Sequence, residues 1–227
     1  MTDTRATAPS RRSRRNKKIA ALAAMGLVVA SGATLTSMAA WTDTEWVYGG
    51  AATEDGVSAS TFEVNQNVTT GATTGWTNDL ASPGGKIDFS IDAQNLNPGD
   101  PVYGFVRLRT VVESLPGDVT LNPATLGAGG SAPLFAALRY GARVVPSPAA
   151  CTTAGFAAST TTVVAPNTAL TTGSAVDAFS LPGGTATLPG AETVVCFQLV
   201  LPEPASDTLQ GVTAQPIWNF TAESTLP

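Results

Sequence analysis

Short runs in which apolar and polar residues alternate dominate the chain after residue 41. In residues 62–65, 87–91 and 102–112, apolar side chains recur at every second position over much of each run. Successive side chains of a β-strand point to opposite faces, so a period of two predicts strands with one face in a core and one in water. No stretch after residue 41 has the period of an amphipathic helix. The pattern therefore predicts an all-β fold.

The predicted strands are residues 62–65, 87–91, 102–112, 119–121, 134–145, 160–164, 193–201 and 217–222. Residues 193–201 are apolar at nearly every position, which indicates a central strand that is buried on both faces. Trp218 and Phe220 share one face of the last run and are predicted to anchor the core. Residues 127–131 and 151–173 are rich in small residues and are predicted to be loops.

Proline-glycine steps separate the predicted strands. They are Pro83-Gly84, Pro98-Gly99, Pro116-Gly117, Pro182-Gly183 and Pro189-Gly190. Proline presets the first central angle of a type II turn, and glycine adopts the positive φ of the second. Short strands joined in this way predict one antiparallel β-sandwich of jelly-roll type over residues 41–227.

Positive charge is concentrated at the N-terminus. Residues 1–40 hold seven of the 12 basic residues and one of the 17 acidic ones, so residues 41–227 keep five basic and 16 acidic residues, a formal charge of −11. The five are Lys86, Arg107, Arg109, Arg139 and Arg143. They are too few and too scattered in the sequence for a phosphate-backbone surface. Nucleic acid is therefore excluded as a partner.

The chain contains no histidine. Serine and cysteine triads that depend on histidine, and zinc sites with histidine ligands, are excluded. Carboxylate pairs occur at residues 43 and 45, 54 and 55, and 88 and 92, but none lies in a calcium-loop pattern. Because no catalytic site is visible, the chain is predicted not to be an enzyme and to need no cofactor, and no metal-binding residue is predicted. A calcium or magnesium site built from carboxylates alone is the open alternative.

Residues 1–40 have the three parts of a secretory signal peptide. A basic segment ends at Lys18, residues 19–30 are apolar, and small residues follow. Cleavage is expected after Ala39 or after Ala40, where Trp41 would become the new N-terminus. The expected partners are the general secretion machinery and a signal peptidase, and the expected location is extracellular or at the cell surface.

An uncleaved membrane anchor is the alternative reading of residues 1–40. The uncharged stretch is long enough to span a bilayer, although its continuous apolar part is short. Contact with the membrane is therefore expected only through the uncleaved signal peptide.

The two cysteines, Cys151 and Cys196, are predicted to form a disulfide, because an exported chain with an even cysteine count favours one. Two free buried thiols are the alternative.

Three segments resemble the TasA/camelysin family of secreted surface and biofilm-fibre proteins. Residues 38–43 resemble the cleavage junction of precursors that carry SipW-dependent signal peptides. Residues 95–100 are similar to the family turn N-L-x-P-G-D, and residues 209–222 are similar to the closing strand of its actinobacterial members. The matching turn residues are Asn95, Leu96, Pro98, Gly99 and Asp100.

The resemblance implies a jelly-roll domain whose fibre-forming members assemble after signal cleavage. In such fibres the freed N-terminal segment of one subunit completes the sheet of the next, which is strand addition at a sheet edge. The candidate donor strand here is residues 41–50, with Trp41 at its start and Trp46 and Tyr48 on one face. Alternatively, Trp46 and Tyr48 begin the first strand of their own domain, and the protein is a monomeric surface adhesin or ligand-binding module.

Overall fold

The computed structural model describes residues 60–71, 73–89, 93 and 95–225, and these residues form ten strands and two short α-helices. The strands are β1 (Val64–Asn67), β2 (Val102–Thr110), β3 (Gly117–Leu121), β4 (Thr125–Leu126), β5 (Arg139–Val145), β6 (Thr161–Ala169), β7 (Phe179–Leu181), β8 (Thr193–Val200), β9 (Pro216–Ile217) and β10 (Phe220–Ser224). The helices are α1 (Ala132–Ala137) and α2 (Thr153–Ala158), and 3₁₀ turns occupy Pro148–Ala150 and Asp207–Leu209. The predicted all-β class is confirmed.

The strands form two antiparallel sheets and a short ribbon. The large sheet has the order β1-β2-β8-β5-β6, the small sheet has the order β10-β3-β7, and β4 pairs with β9. The chain passes from the large to the small sheet three times, after β2, after β6 and, by way of β9, after β8. It returns to the large sheet twice, by way of β4 after β3 and directly after β7. The predicted antiparallel β-sandwich is confirmed.

The core lies between the two sheets. Phe197 and Val106 of the large sheet and Leu121 and Leu181 of the small sheet are each at most 1% exposed and belong to one hydrophobic cluster. Burial of one such side chain contributes about 1.5–3 kcal/mol to the free energy of unfolding. This shared cluster holds the sheets face to face.

Strand β8 is buried on both faces. Val195 and Phe197 point into the core, while Val194 and Cys196 point to the opposite face and pack in a second cluster with Phe156 of α2. Both neighbours of β8 in the sheet, β2 and β5, pair with it over seven residues. The prediction of a central, doubly buried strand is therefore confirmed.

The alternating segment at residues 87–91 is not a strand where the structure describes it. Ile87 and Phe89 are half-buried and pack against the core, but residues 86–89 pair with no strand; residues 90–92 lie outside the described residues. A Cβ on Gly104 of β2 would lie 2.7 Å from Cγ2 of Ile87. The strand prediction was wrong here because the alternation comes from packing across the face of β2, not from a hydrogen-bonded ladder.

Two other predicted elements differ from the structure because short helices occur in them. Residues 134–137 belong to α1, whose N-cap Ser131 accepts a hydrogen bond from the Leu134 amide at 3.3 Å. Within the predicted loop 151–173, Thr152 caps α2 through the Gly155 amide at 3.2 Å, and the edge strand β6 follows. Side-chain caps of this kind satisfy free helix amides and stabilise such short helices.

The turn prediction holds at one of the five proline-glycine steps, Pro98-Gly99, where Gly99 has a φ of 88° and the Asp100 amide donates to the Asn97 carbonyl at 3.1 Å. At Pro83-Gly84 the φ of Gly84 is 71°, but the Ser82–Pro83 bond is cis, which belongs to a type VI turn. Gly117, Gly183 and Gly190 do not have positive φ. At Gly117, the first residue of β3, a Cβ would lie 2.6 Å from the backbone oxygen of Glu223. The type II prediction was wrong at the other four steps, and at Gly117 glycine is needed for a close backbone approach instead.

Candidate functional site: the open edge of the small sheet

Strand β10 forms one edge of the small sheet. It pairs with β3 along its whole length, from Phe220 opposite Leu121 to Ser224 opposite Gly117. Among the described residues, no backbone hydrogen bond reaches β10 from its other side. Unpaired amides and carbonyls along a regular edge are a template for a further strand.

The inward face of β10 is covered less completely than that of its neighbour. Val119 and Leu121 of β3 are 1% and 0% exposed, whereas Phe220 and Ala222 of β10 are only half-buried. The Phe220 ring meets the rings of Phe179 and Phe197 edge-on, with centroids 6.3 Å away in each pair. Apolar surface therefore remains at the edge, where an added strand could bury it.

Trp218 lies just before β10 and continues this apolar surface. Its ring centroid is 4.9 Å from that of Phe197, 5.6 Å from that of Tyr140 and 6.4 Å from that of Phe89. The Trp218 Nε1 atom is buried and has no hydrogen-bond partner of good geometry among the described residues. The indole still acts on the Tyr140 hydroxyl: burial raises the pKa of that phenol, and a smaller side-chain interaction with Trp218 lowers it.

Tyr140 fixes the inner wall of this region. Its hydroxyl donates a hydrogen bond of 2.6 Å to the carbonyl of Thr172, and the residue is fully buried. Burial raises the pKa of Tyr140 to about 12, with a smaller opposing effect from Trp218. The phenol is therefore neutral at physiological pH and serves as a structural donor.

The edge strand β6 of the large sheet is irregular. Its pairing with β5 shifts register twice, Pro166 lacks an amide hydrogen, and Asn167 has a φ of 64°. Bulges and proline on an edge strand hinder pairing with another chain.

The edge strand β1 is paired on its outer side, and the edge strand β7 has only three residues, a length that offers little template for a further strand. Gln66 of β1 exchanges two backbone hydrogen bonds with Thr77, of 2.8 and 3.0 Å. Beyond β7, the carbonyl of Pro182 accepts from Thr110 Oγ1 at 2.7 Å, and the Gly184 amide donates to Ser114 at 2.8 Å. Among the edges of the two sheets in the described part of the chain, β10 combines a regular course over five residues with an outer side that receives no backbone hydrogen bond.

The outward face of the small sheet is acidic. Asp118 of β3 and Glu223 of β10 are direct cross-strand neighbours, and Ser180 Oγ donates to Asp118 Oδ1 at 2.6 Å. Like charges directly opposite each other weaken a strand pair. They also repel a second acidic surface, so unspecific stacking of this face is disfavoured.

The predicted disulfide is present in the structure. Cys151 is bonded to Cys196 of β8, with Cα atoms 5.3 Å apart. It ties residues 148–158 to the outer face of the large sheet, where Phe156 packs on Tyr103 with ring centroids 5.7 Å apart. The part of this face beneath residues 148–158 is therefore covered by the chain itself.

Arg139 and Arg143 are used within the fold. Nη1 of Arg139 donates to the carbonyls of Ala136, Ala137 and Leu138 at 2.8–3.1 Å, at the end of α1. Nη1 of Arg143 donates to the carbonyl of Phe156 at 2.8 Å, near the end of α2. Cations at helix C-termini satisfy free carbonyls and favour the helix dipole.

The turn motif joins the start of β2 to the end of β8. The Asp100 amide donates to the Asn97 carbonyl at 3.1 Å, and the Gly99 amide donates to the carbonyl of Leu201 at 2.8 Å. Leu96 packs against the core. The structure describes all five predicted motif residues. Their turn anchors the start of β2 to the end of β8, a role that the sequence did not predict.

The remaining predicted site residues, Ala39, Ala40, Trp41, Trp46 and Tyr48, lie outside the described residues. The role of β10 as the open edge was not predicted, because an edge is defined only when all strand pairings are known.

An open groove of about 430 Å³ lies between α1 and residues 201–209. Its lining consists of Pro133, Ala137, Arg139, Leu201, Pro202, Pro204, Ala205, Ser206, Thr208 and Leu209. None of these is an acid, so this groove lacks the paired carboxylates that glycoside hydrolysis requires.

The part of the chain that the structure describes contains no group of three or more cysteine or acidic side chains placed to hold a metal ion. None of the helices in that part has the length and hydrophobicity needed to cross a bilayer.

A scan against protein-family models finds no match, and a search of the curated proteins finds no similar sequence.

Proposed function

We propose that the chain is a secreted, non-enzymatic structural protein of the cell surface or biofilm matrix, of the TasA/camelysin type. In this proposal, subunits associate when residues 41–50 of one, freed by signal cleavage, pair with the β10 edge of the next. The observation that carries it is the open β10 edge with the half-buried Phe220 and Trp218 behind it.

The chemistry of strand addition fits this edge. Main-chain hydrogen bonds would supply affinity, and alternate side chains of the added strand would supply register. Residues 46 and 48 are aromatic and lie at strand spacing, so both could face the apolar surface beside Phe220. The proposal names β10 as the acceptor because β1 is paired on its outer side, β6 is irregular and β7 has only three residues.

The experiment compares the purified signal-cleaved protein with a variant that lacks residues 41–50. Electron microscopy should show filaments of the first and a folded, non-assembling form of the second. A synthetic peptide of residues 41–50 should then protect the β10 amides of the truncated variant from hydrogen exchange.

The outward amides of β6, which do not pair with β5, are the internal control, because that edge is irregular and their exchange should not change. Unchanged filaments after the deletion, or protection of β6 in place of β10, would contradict the proposal. A single small species at high concentration would favour a monomeric adhesin.

A further inference from the structure

Trp76 stands outside the core. It packs in neither hydrophobic cluster but lies over two arginines on the outer face of β2. The guanidinium carbon of Arg109 is 3.9 Å from the Trp76 ring centroid, and that of Arg107 is 5.1 Å away. The two arginines are two residues apart on one strand and therefore share a face. Cation–π contacts of this kind hold a guanidinium flat against an indole.

The loop that carries Trp76 is held in place by its neighbours. Thr77 pairs with Gln66 of β1, and the buried Asn67 side chain joins two points of the loop. Its Nδ2 donates to the carbonyl of Thr74 at 2.8 Å, and its Oδ1 accepts from the Thr69 amide at 2.7 Å. Trp76 is thus positioned before any ligand arrives, which lowers the entropic cost of binding.

Of the five basic residues after residue 40, four have an oxygen partner. Lys86 pairs with Asp88 at 2.9 Å, and Arg107 pairs with Glu192 at 3.2 Å. Arg139 and Arg143 donate to the helix carbonyls described above. Arg109 differs: it makes no hydrogen bond and no ion pair with the described residues.

The stacked Arg109 has a free edge. Its Nε is buried without a partner, whereas its two terminal nitrogens are not among the buried atoms. Burial lowers the pKa of Arg109. The negative charge of Glu192 raises this pKa, and the positive charge of Arg107 lowers it further. An anion bound beside Arg109 would offset the free-energy cost of burying the charged guanidinium. A planar guanidinium fork is suited to a carboxylate, which it binds through two parallel hydrogen bonds.

We propose that Arg109 and Trp76 form a binding site for a carboxylated sugar, such as a uronate unit of an acidic polysaccharide. The carboxylate would accept from the terminal nitrogens of Arg109, and the C–H face of the pyranose ring would pack on the exposed part of Trp76. Glu192, which neutralises Arg107, limits the site to a single anionic group and disfavours a polyphosphate.

The test is a calorimetric titration of the purified protein with a galacturonate trimer and with a neutral galactose trimer. The uronate should bind saturably, and the neutral sugar should bind at least about tenfold more weakly, as expected for loss of a charged hydrogen bond. Arg109→Gln should weaken uronate binding by about tenfold or more. Arg109→Lys keeps the charge without the planar fork and should give an intermediate affinity.

Lys86→Gln is the matched control, because it removes the same charge at another place and should leave the affinity unchanged. An equal loss in both glutamine variants would overturn the proposal in favour of unspecific attraction. Stronger binding of an acidic peptide of residues 41–55 than of the uronate would overturn it in favour of a segment of the protein itself. Filament formation should not change in Arg109→Gln, so this test is separate from that of assembly.

Discussion

Cys151 in the segment that covers the large sheet is covalently joined to Cys196 in the central strand β8. The bond closes a loop with a sequence separation of 45 residues. Replacing both cysteines by alanine should lower the free energy of unfolding by roughly 4 kcal/mol in the chain-entropy account, because the unfolded chain gains freedom. Urea unfolding under oxidising conditions measures the change.

The unaltered protein in reductant is the control for this variant and should unfold at a similar urea concentration. A difference below about 1 kcal/mol between the oxidised protein and the variant would show that the disulfide adds little to stability.

The stability of the fold should fall at alkaline pH because of Tyr140. An unfolded tyrosine ionises near pH 10, whereas burial raises the pKa of Tyr140 to about 12 in the folded protein. The raised pKa of Tyr140 contributes about 2–3 kcal/mol to the free energy of unfolding. This stabilisation is fully present below about pH 10 and is lost as the pH rises to about 12. Chemical unfolding at a series of pH values measures it.

Tyr140→Phe serves as the comparison. It should lose about 1 kcal/mol at neutral pH, because the hydrogen bond to Thr172 disappears. Its stability should then decline less than that of the unaltered protein above pH 10. Equal declines in the two proteins would show that another group is responsible.

The Asp118–Glu223 pair should limit the stability of the small sheet. Glu223→Gln removes a like charge directly opposite Asp118 and should raise the free energy of unfolding by about 0.5 kcal/mol. The gain should shrink at high salt, since screening already weakens the repulsion. Glu113→Gln changes the charge equally at an exposed position outside the strands and should have a smaller effect. Thermal unfolding at two salt concentrations distinguishes the two variants.

Several features of the fold could be predicted because they depend on local pattern. The continuous apolar run that contains Cys196 identified a doubly buried strand, and the even cysteine count identified its bond to Cys151. Gly99 adopts the positive φ that a type II turn requires. In each case neighbouring residues or simple chemistry determine the outcome.

Other features depend on contacts that the sequence does not contain. Ile87 and Phe89 alternate with polar residues, but the space left by Gly104 determines that they pack across a sheet face. The helix at Leu134 has six residues, too few for a clear helical period. The stack of Trp76 on Arg109 joins positions 33 residues apart and requires the register of β1 and β2.

Assembly at the β10 edge should strengthen with added salt. Residues 41–227 carry a formal charge of −11, so two subunits repel each other at low ionic strength. The screening length falls from about 10 Å at 0.1 M salt to about 3 Å at 1 M, whereas backbone pairing and apolar contacts persist. Light scattering and sedimentation of signal-cleaved protein should therefore show more filaments at high salt.

Glu223→Gln should assemble at a lower salt concentration than the unaltered protein, because it removes one of the charges beside the acceptor edge. Filaments that dissolve as salt is added would show that ion pairs, not strand addition, hold the subunits together.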